Sequence, residues 1–264
     1  MLPLFPLPSL REVIIFALVL GRVAGIFAAM PSFGGRAVPM NIKALAVLMI
    51  TLVCFPVLKI TPPPMPTDAF SLALLALSEV AVGLTLALVA QMIFSAVEFS
   101  GQIIGMQMGL TIASIIDPTR GSQIQLMSVL QSLFATLLFL ALDVHHVFIR
   151  AIIESFSIIP IGGWHISGQL ISFLVQRTSD IFVLGVRLAA PVMVSLLLAS
   201  VALGVMARAF PQMNIFIVSM PLNVGLGFLI MGGTMMIFFH VLEVSFGNLD
   251  GQIITLFRLM AKGG

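Results

Sequence analysis

Asp143-Val144-His145-His146 sets a carboxylate and two imidazoles within four positions, in a chain with four histidines and one cysteine. Those side chains are ligands for a divalent metal, but the spacing is poor for one. Neighbouring residues on a helix point about 100° apart, and the other histidines, His165 and His240, are remote in sequence. A polar helix end leading into a loop is the expected role, and no metal site is assigned. Cys54 lies in an apolar run, where a small core residue is expected. A lone cysteine excludes an internal disulfide and a multi-cysteine metal site. The sequence has no Walker loop, no G-x-S-x-G and no H-E-x-x-H, so it implies neither catalysis nor a cofactor.

Three further charges stand in apolar surroundings: Arg22, Glu79 and Arg187. A charged side chain at the bilayer centre costs about 2.5–3.5 kcal/mol on insertion scales. Each is expected to pair inside a helix bundle, to snorkel from a helix end, or to face a cavity or pore.

The elements that carry these residues are apolar helices. The 264 residues are 60% hydrophobic and 8% charged, with net charge +2; the mean hydropathy is +1.20. Soluble domains carry roughly 25% charged residues, so this chain lacks the charge to cover a water-facing surface and reads as an integral membrane protein. The few charges form no basic patch, which excludes nucleic-acid binding. Six long apolar segments, at about 10–33, 42–60, 69–97, 124–150, 180–207 and 214–243, reach transmembrane length. A shorter one at about 99–116 is rich in glycine. No linker is long enough for a separate soluble domain, so residues 1–264 read as one all-α membrane domain. The N-terminal stretch MLPLFPLPSLRE lacks the basic region of a cleavable signal peptide.

If loops alternate sides, Arg11, Lys59, Arg150, Arg177, Arg258 and Lys262 face one side, and Arg36, Lys43, Arg120 and Arg208 the other. Six against four sets no topology by the positive-inside rule. With no tyrosine and Trp164 as the one tryptophan, the usual aromatic belt is nearly missing. Both features point to helices covered by other protein.

Two breaks between segments are informative. In GQIIGMQMGLTIASIIDPTRGSQ, Gly101, Gly105 and Gly109 repeat every fourth residue, which suits close helix packing. The apolar run then ends at Asp117-Pro118, where proline bars helix geometry at the residue before it. A loop carrying Ile112, Ile115 and Ile116 at membrane depth is tolerated only inside protein or beside a cavity. Such a loop can close a pore, with Met106 and Met108 beside it as adaptable sealing side chains. The second break is RAFPQMNIF, 208–216. Arg208 belongs in a last helical turn, where a cation is favoured. Pro211 interrupts the helix, and Gln212 and Asn214 suit the unpaired backbone groups of a tight turn. That polarity exceeds what a water-exposed turn needs, so a buried or cavity-facing turn is expected.

Arg208, Pro211, Gln212, Asn214 and Phe216 resemble the R-x-x-P-Q-x-N-x-F signature of the FliR family of flagellar type III export-gate membrane proteins, related to the SctT family of injectisomes. Arg22 and Pro31, in GRVAGIFAAMPSFG, resemble the family's N-terminal segment. GQIIGMQMGLTIASIIDP resembles its central region, and His145, Ser155, Pro160 and Gly162 resemble its H…S…P-x-G stretch. Asp143-Val144 stands where the family pattern has Asn-Gly. The resemblance covers nearly the whole chain.

The resemblance implies a FliP-like part joined to a FliQ-like part. A single copy would assemble with FliP and FliQ subunits, beside FlhB and FlhA, at the flagellar basal body in the bacterial inner membrane. It implies unfolded rod, hook and filament proteins as cargo. Met106, Met108 and Ile112 to Pro118, in the stretch 106–123, would help close the channel. Two other readings are the injectisome homologue of the same subunit, and a six-helix small-molecule or ion transporter with Arg22, Glu79 and Arg187 in its path.

Overall fold

A computed structural model describes residues 9–30, 39–58, 60, 68–110, 126–210, 212 and 214–261. Among these, every regular element is a helix: α1 (Leu10–Ala29), α2 (Met40–Cys54, continued by a 3-10 turn Phe55–Val57), α3 (Ala69–Gln107), α4 (Leu126–Ala141), α5 (Val144–Ile158), α6 (Gly168–Ala209), α7 (Ile215–Gly233), α8 (Met235–Gly247) and α9 (Leu249–Ala261). Four helices are long and apolar enough to cross a membrane, or up to six if each broken pair, α4 with α5 and α7 with α8–α9, counts as one span.

Local chemistry explains the ends. Ser9 and Glu12 form a reciprocal cap on α1: the Glu12 N–H donates to Ser9 Oγ at 3.3 Å, and the Ser9 N–H donates to Glu12 Oε2 at 2.9 Å. Arg208 sits in the last turn of α6, and α9 places Asp250 in its first turn and Arg258 in its last, matching the helix dipole. Pro191 lies inside α6 and Pro221 inside α7. Membrane-type helices tolerate such prolines; one turn on, the Ser195 hydroxyl donates to the Pro191 carbonyl at 2.8 Å, the usual serine bond to the i−4 carbonyl.

The helix boundaries differ from the apolar segments in three places. The glycine-rich piece, as far as Gln107, joins the segment before it, so α3 runs 39 residues without a break. The segment expected at 124–150 is interrupted at Leu142-Asp143. α6 begins at Gly168, twelve residues before its expected start, because Arg177 and Asp180 break the hydropathy pattern but not the helix; their side chains pair at 2.9 Å.

The chain forms two compact units, each discontinuous in sequence. One comprises residues 1–91, 143–175 and 248–264, the other residues 92–142 and 176–247. In the first, α1, the early part of α3 and α5 bury Val19, Val23, Ile26, Leu86 and Ile152, with Leu256 and Phe257 of α9 also enclosed. α2 meets α1 through an edge-to-face pair of Phe16 and Phe55, with centroids 5.4 Å apart. In the second unit, Ile104, Met108, Met127, Ala189, Val192 and Leu196 form a core cluster. Phe94, Phe139 and Phe246 form a ring triad with centroids 5.7–5.8 Å apart.

Candidate functional site

In the first unit, α1 and α3 cross almost backbone to backbone. A Cβ at Gly25 would lie 2.5 Å from the Val80 carbonyl oxygen, and one at Gly83 would collide with the Arg22 carbonyl oxygen. Gly21 and Gly25 repeat the four-residue glycine spacing seen at Gly101 and Gly105, so GRVAG carries the same close-packing signal.

This crossing places Arg22 beside Glu79. Arg22 Nε donates to Glu79 Oε2 at 2.7 Å, and the two side chains are 0% and 1% exposed. Arg22 Nη1 also donates to Ser155 Oγ at 3.2 Å and to the Ile159 carbonyl at 3.1 Å. The guanidinium lies 4.0 Å over the Phe156 ring. The second carboxylate oxygen, Glu79 Oε1, accepts the Gly162 N–H at 3.0 Å. Gly162 reaches that position with φ 76°, which favours glycine. Three of the five guanidinium N–H groups are therefore taken up by Glu79, α5 and the residue after it; Arg22 Nη2 has no protein partner among the described residues.

Arg22, Ser155 and Gly162 come from two separate sequence pieces, and the fold brings them to one point with Glu79. The expectation of pairing within the bundle holds for Arg22 and Glu79. Arg187 behaves differently. It is exposed on α6 and makes no hydrogen bond or ion pair among the described residues; it lines a cavity of about 20 Å³ with Gln131 and Thr234, room for about one water.

In the second unit, Gly101 lets α4 come into backbone contact with α3 at Ser128. The Ser128 hydroxyl donates to the Glu98 carbonyl at 3.0 Å, and the Ser100 hydroxyl donates to Gln131 Oε1 at 3.0 Å. Gly109 lies past the helix end with φ 77°, so the glycine row splits: two members pack and the third turns the chain. Met108 is fully buried against Gly227, whereas Met106 is exposed. Ile112, Ile115, Ile116, Asp117 and Pro118 lie outside the described residues.

Around the signature turn, α6 ends at Ala209 and α7 begins at Ile215. Arg208, Gln212 and Asn214 are exposed, and Asn214 caps α7 without a side-chain hydrogen bond. Within this chain the turn is thus open rather than buried, because none of the described elements covers it. Pro211 and the Phe216 side chain lie outside the described residues.

At the start of α5, Asp143 adopts φ 54°, a left-handed conformation in which asparagine, aspartate and glycine are favoured. His145 and His146 follow with ring centroids 4.2 Å apart, closer than their spacing suggests.

Residues 13–249 match the family described as bacterial export proteins, family 1. The chain is 32% identical to the flagellar biosynthetic protein FliR of Bacillus subtilis over 252 residues, 94% of this chain and 95% of that one. The chain belongs to the FliR family. Similarity to FliR of Escherichia coli is 32% identity over 81% of each chain, and to FliR of Caulobacter vibrioides 32% over 82% of this chain and 86% of that one. Of the residues that resemble the family's motifs, Arg22, Ser155 and Gly162 meet in the Arg22–Glu79 cluster, while Arg208, Gln212 and Asn214 are exposed.

Proposed function

We propose that this chain is a non-enzymatic, channel-forming subunit of a flagellar type III protein export gate in the bacterial inner membrane. It would assemble as one copy with FliP and FliQ subunits, next to FlhB and FlhA, and conduct unfolded rod, hook and filament proteins. The observation that carries this reading is the match of residues 13–249 to the bacterial export family, together with helices of membrane-spanning length whose apolar faces stay open. Leu74, Leu77 and Leu84 on α3 and Val194, Leu197, Leu198 and Val201 on α6 are each more than a third exposed, and lipid and neighbouring subunits would cover that surface.

Membership of the export family and the flagellar names of the relatives support the flagellar reading over the injectisome one. The transporter reading loses two of its three path residues, since Arg22 and Glu79 are consumed by each other. Met106, Met108 and Ile112 to Pro118 would contribute to closing the channel at rest, and the turn at Arg208, Pro211, Gln212, Asn214 and Phe216 would be a structural contact inside the gate.

Co-purification tests the assembly. Expressed with FliP-like and FliQ-like subunits, the chain should elute in one complex with them and aggregate when expressed alone. A stable, monodisperse chain by itself would overturn the reading.

A further inference from the structure

Outside the Arg22–Glu79 cluster, a second set of ligating side chains converges at the start of α5. One donor atom each from Asp143, His145 and His146 lie within 4.8 Å of one another. Asp143 Oδ1 is 3.5 Å from His146 Nδ1 and 3.9 Å from His145 Nε2. The backbone explains how two adjacent histidines manage this. Asp143 is left-handed, and although it holds the N-cap position of α5, its carboxylate makes no capping hydrogen bond. The carboxylate instead faces the two imidazoles. His145 is the more enclosed of the pair: its Nδ1 is buried, which leaves Nε2 as the nitrogen turned toward Asp143.

We propose that Asp143 Oδ1, His145 Nε2 and His146 Nδ1 form a binding site for a divalent transition metal of the zinc, nickel and copper group, completed by water. Ligands at bond lengths of about 2.0–2.2 Å around a tetrahedral metal stand about 3.3–3.5 Å apart. The Asp143–His146 separation already meets that value, and the Asp143–His145 separation is a few tenths of an ångström long. Asp143 and His146 are exposed, so their side chains are free to close on an ion while His145 stays anchored. Two neutral imidazoles and one carboxylate select this metal group; calcium and magnesium take sets of oxygen ligands. The positive end of the α5 dipole opposes a bound cation only weakly, and the Asp143 charge offsets it. Simple ion pairing of Asp143 with an imidazolium is the competing account, and it requires protonated histidine, so metal binding at slightly alkaline pH separates the two. The site does not depend on the export reading.

The test uses the full chain, with whatever subunits co-purify, carrying a histidine-free affinity tag. Zinc chloride is titrated by calorimetry at pH 7.5–8, and cobalt(II) is followed by its visible absorption. We expect one zinc ion per chain more than in the His145→Ala/His146→Ala variant, and at least tenfold weaker binding in that variant. Asp143→Asn, which keeps a residue tolerant of the left-handed backbone, should weaken binding while leaving elution and co-purification unchanged. Equal zinc stoichiometry and affinity in wild type and the double-histidine variant would overturn the site. So would a cobalt spectrum that does not change when either histidine is replaced.

Discussion

Arg22 and Glu79, 57 residues apart in sequence, meet as an ion pair with Nε 2.7 Å from Oε2 and with both side chains enclosed. Removing one partner leaves the other charge buried and uncompensated, at about 3–5 kcal/mol. Arg22→Met and Glu79→Leu should each lower the thermal stability of the purified complex strongly. The double variant should recover most of the loss, because it buries no lone charge. Thermal denaturation of all four forms gives the cycle; additive losses would show that the two residues act independently.

The α1–α3 crossing should tolerate no side chain. Gly83→Ala drives a methyl group into the Arg22 backbone and Gly25→Ala one into Val80, and overpacking of this kind costs typically about 1–3 kcal/mol or more. Gly204 has open space around it in α6. There Gly→Ala should be neutral or gain up to about 1 kcal/mol by helix propensity. Comparing accumulated complex and melting temperature for the three variants checks the contrast.

Replacing Ile112, Ile115 and Ile116 with alanine should raise the leak of ions and small molecules across the membrane when the whole gate is expressed. Conductance or dye uptake reads the result. Unchanged leak in a fully assembled gate would remove the closing role proposed for that stretch.

Gln212→Ala and Asn214→Ala change exposed side chains, so each should alter the stability of the chain by no more than about 0.5 kcal/mol. If the signature turn is a contact inside the gate, the same variants should reduce recovery of FliP-like and FliQ-like subunits in pull-downs. A large stability loss with partner recovery intact would place their role inside the chain instead.

Gln131 holds Ser100 in a buried pair between α3 and α4. Gln131→Leu leaves the Ser100 hydroxyl without this acceptor, at about 1–3 kcal/mol. Adding Ser100→Ala should recover part of that loss, which thermal denaturation of the two forms will show.

The all-helical membrane class and the family are legible in the sequence because both are written locally: long apolar runs over-determine helices in lipid, and the resemblance to the FliR family rests on short contiguous strings. The sequence also pointed to glycine spacing as a packing device at Gly101 and Gly105. It did not reveal that α3 continues into the glycine-rich piece as far as Gln107, since the hydropathy change there marks a change of neighbours rather than the end of a helix. Nor did it show which charge met which. Arg22 and Glu79 paired while Arg187 found no partner among the described residues, because pairing depends on where helices cross. That crossing is set by Gly25 and Gly83, whose missing side chains bring two distant backbones together. Ser155 and Gly162 carried a family pattern without a reason until the fold placed both on the ion pair. A buried charge must find its hydrogen-bond partners in three dimensions, and which ones lie within reach depends on how the helices cross.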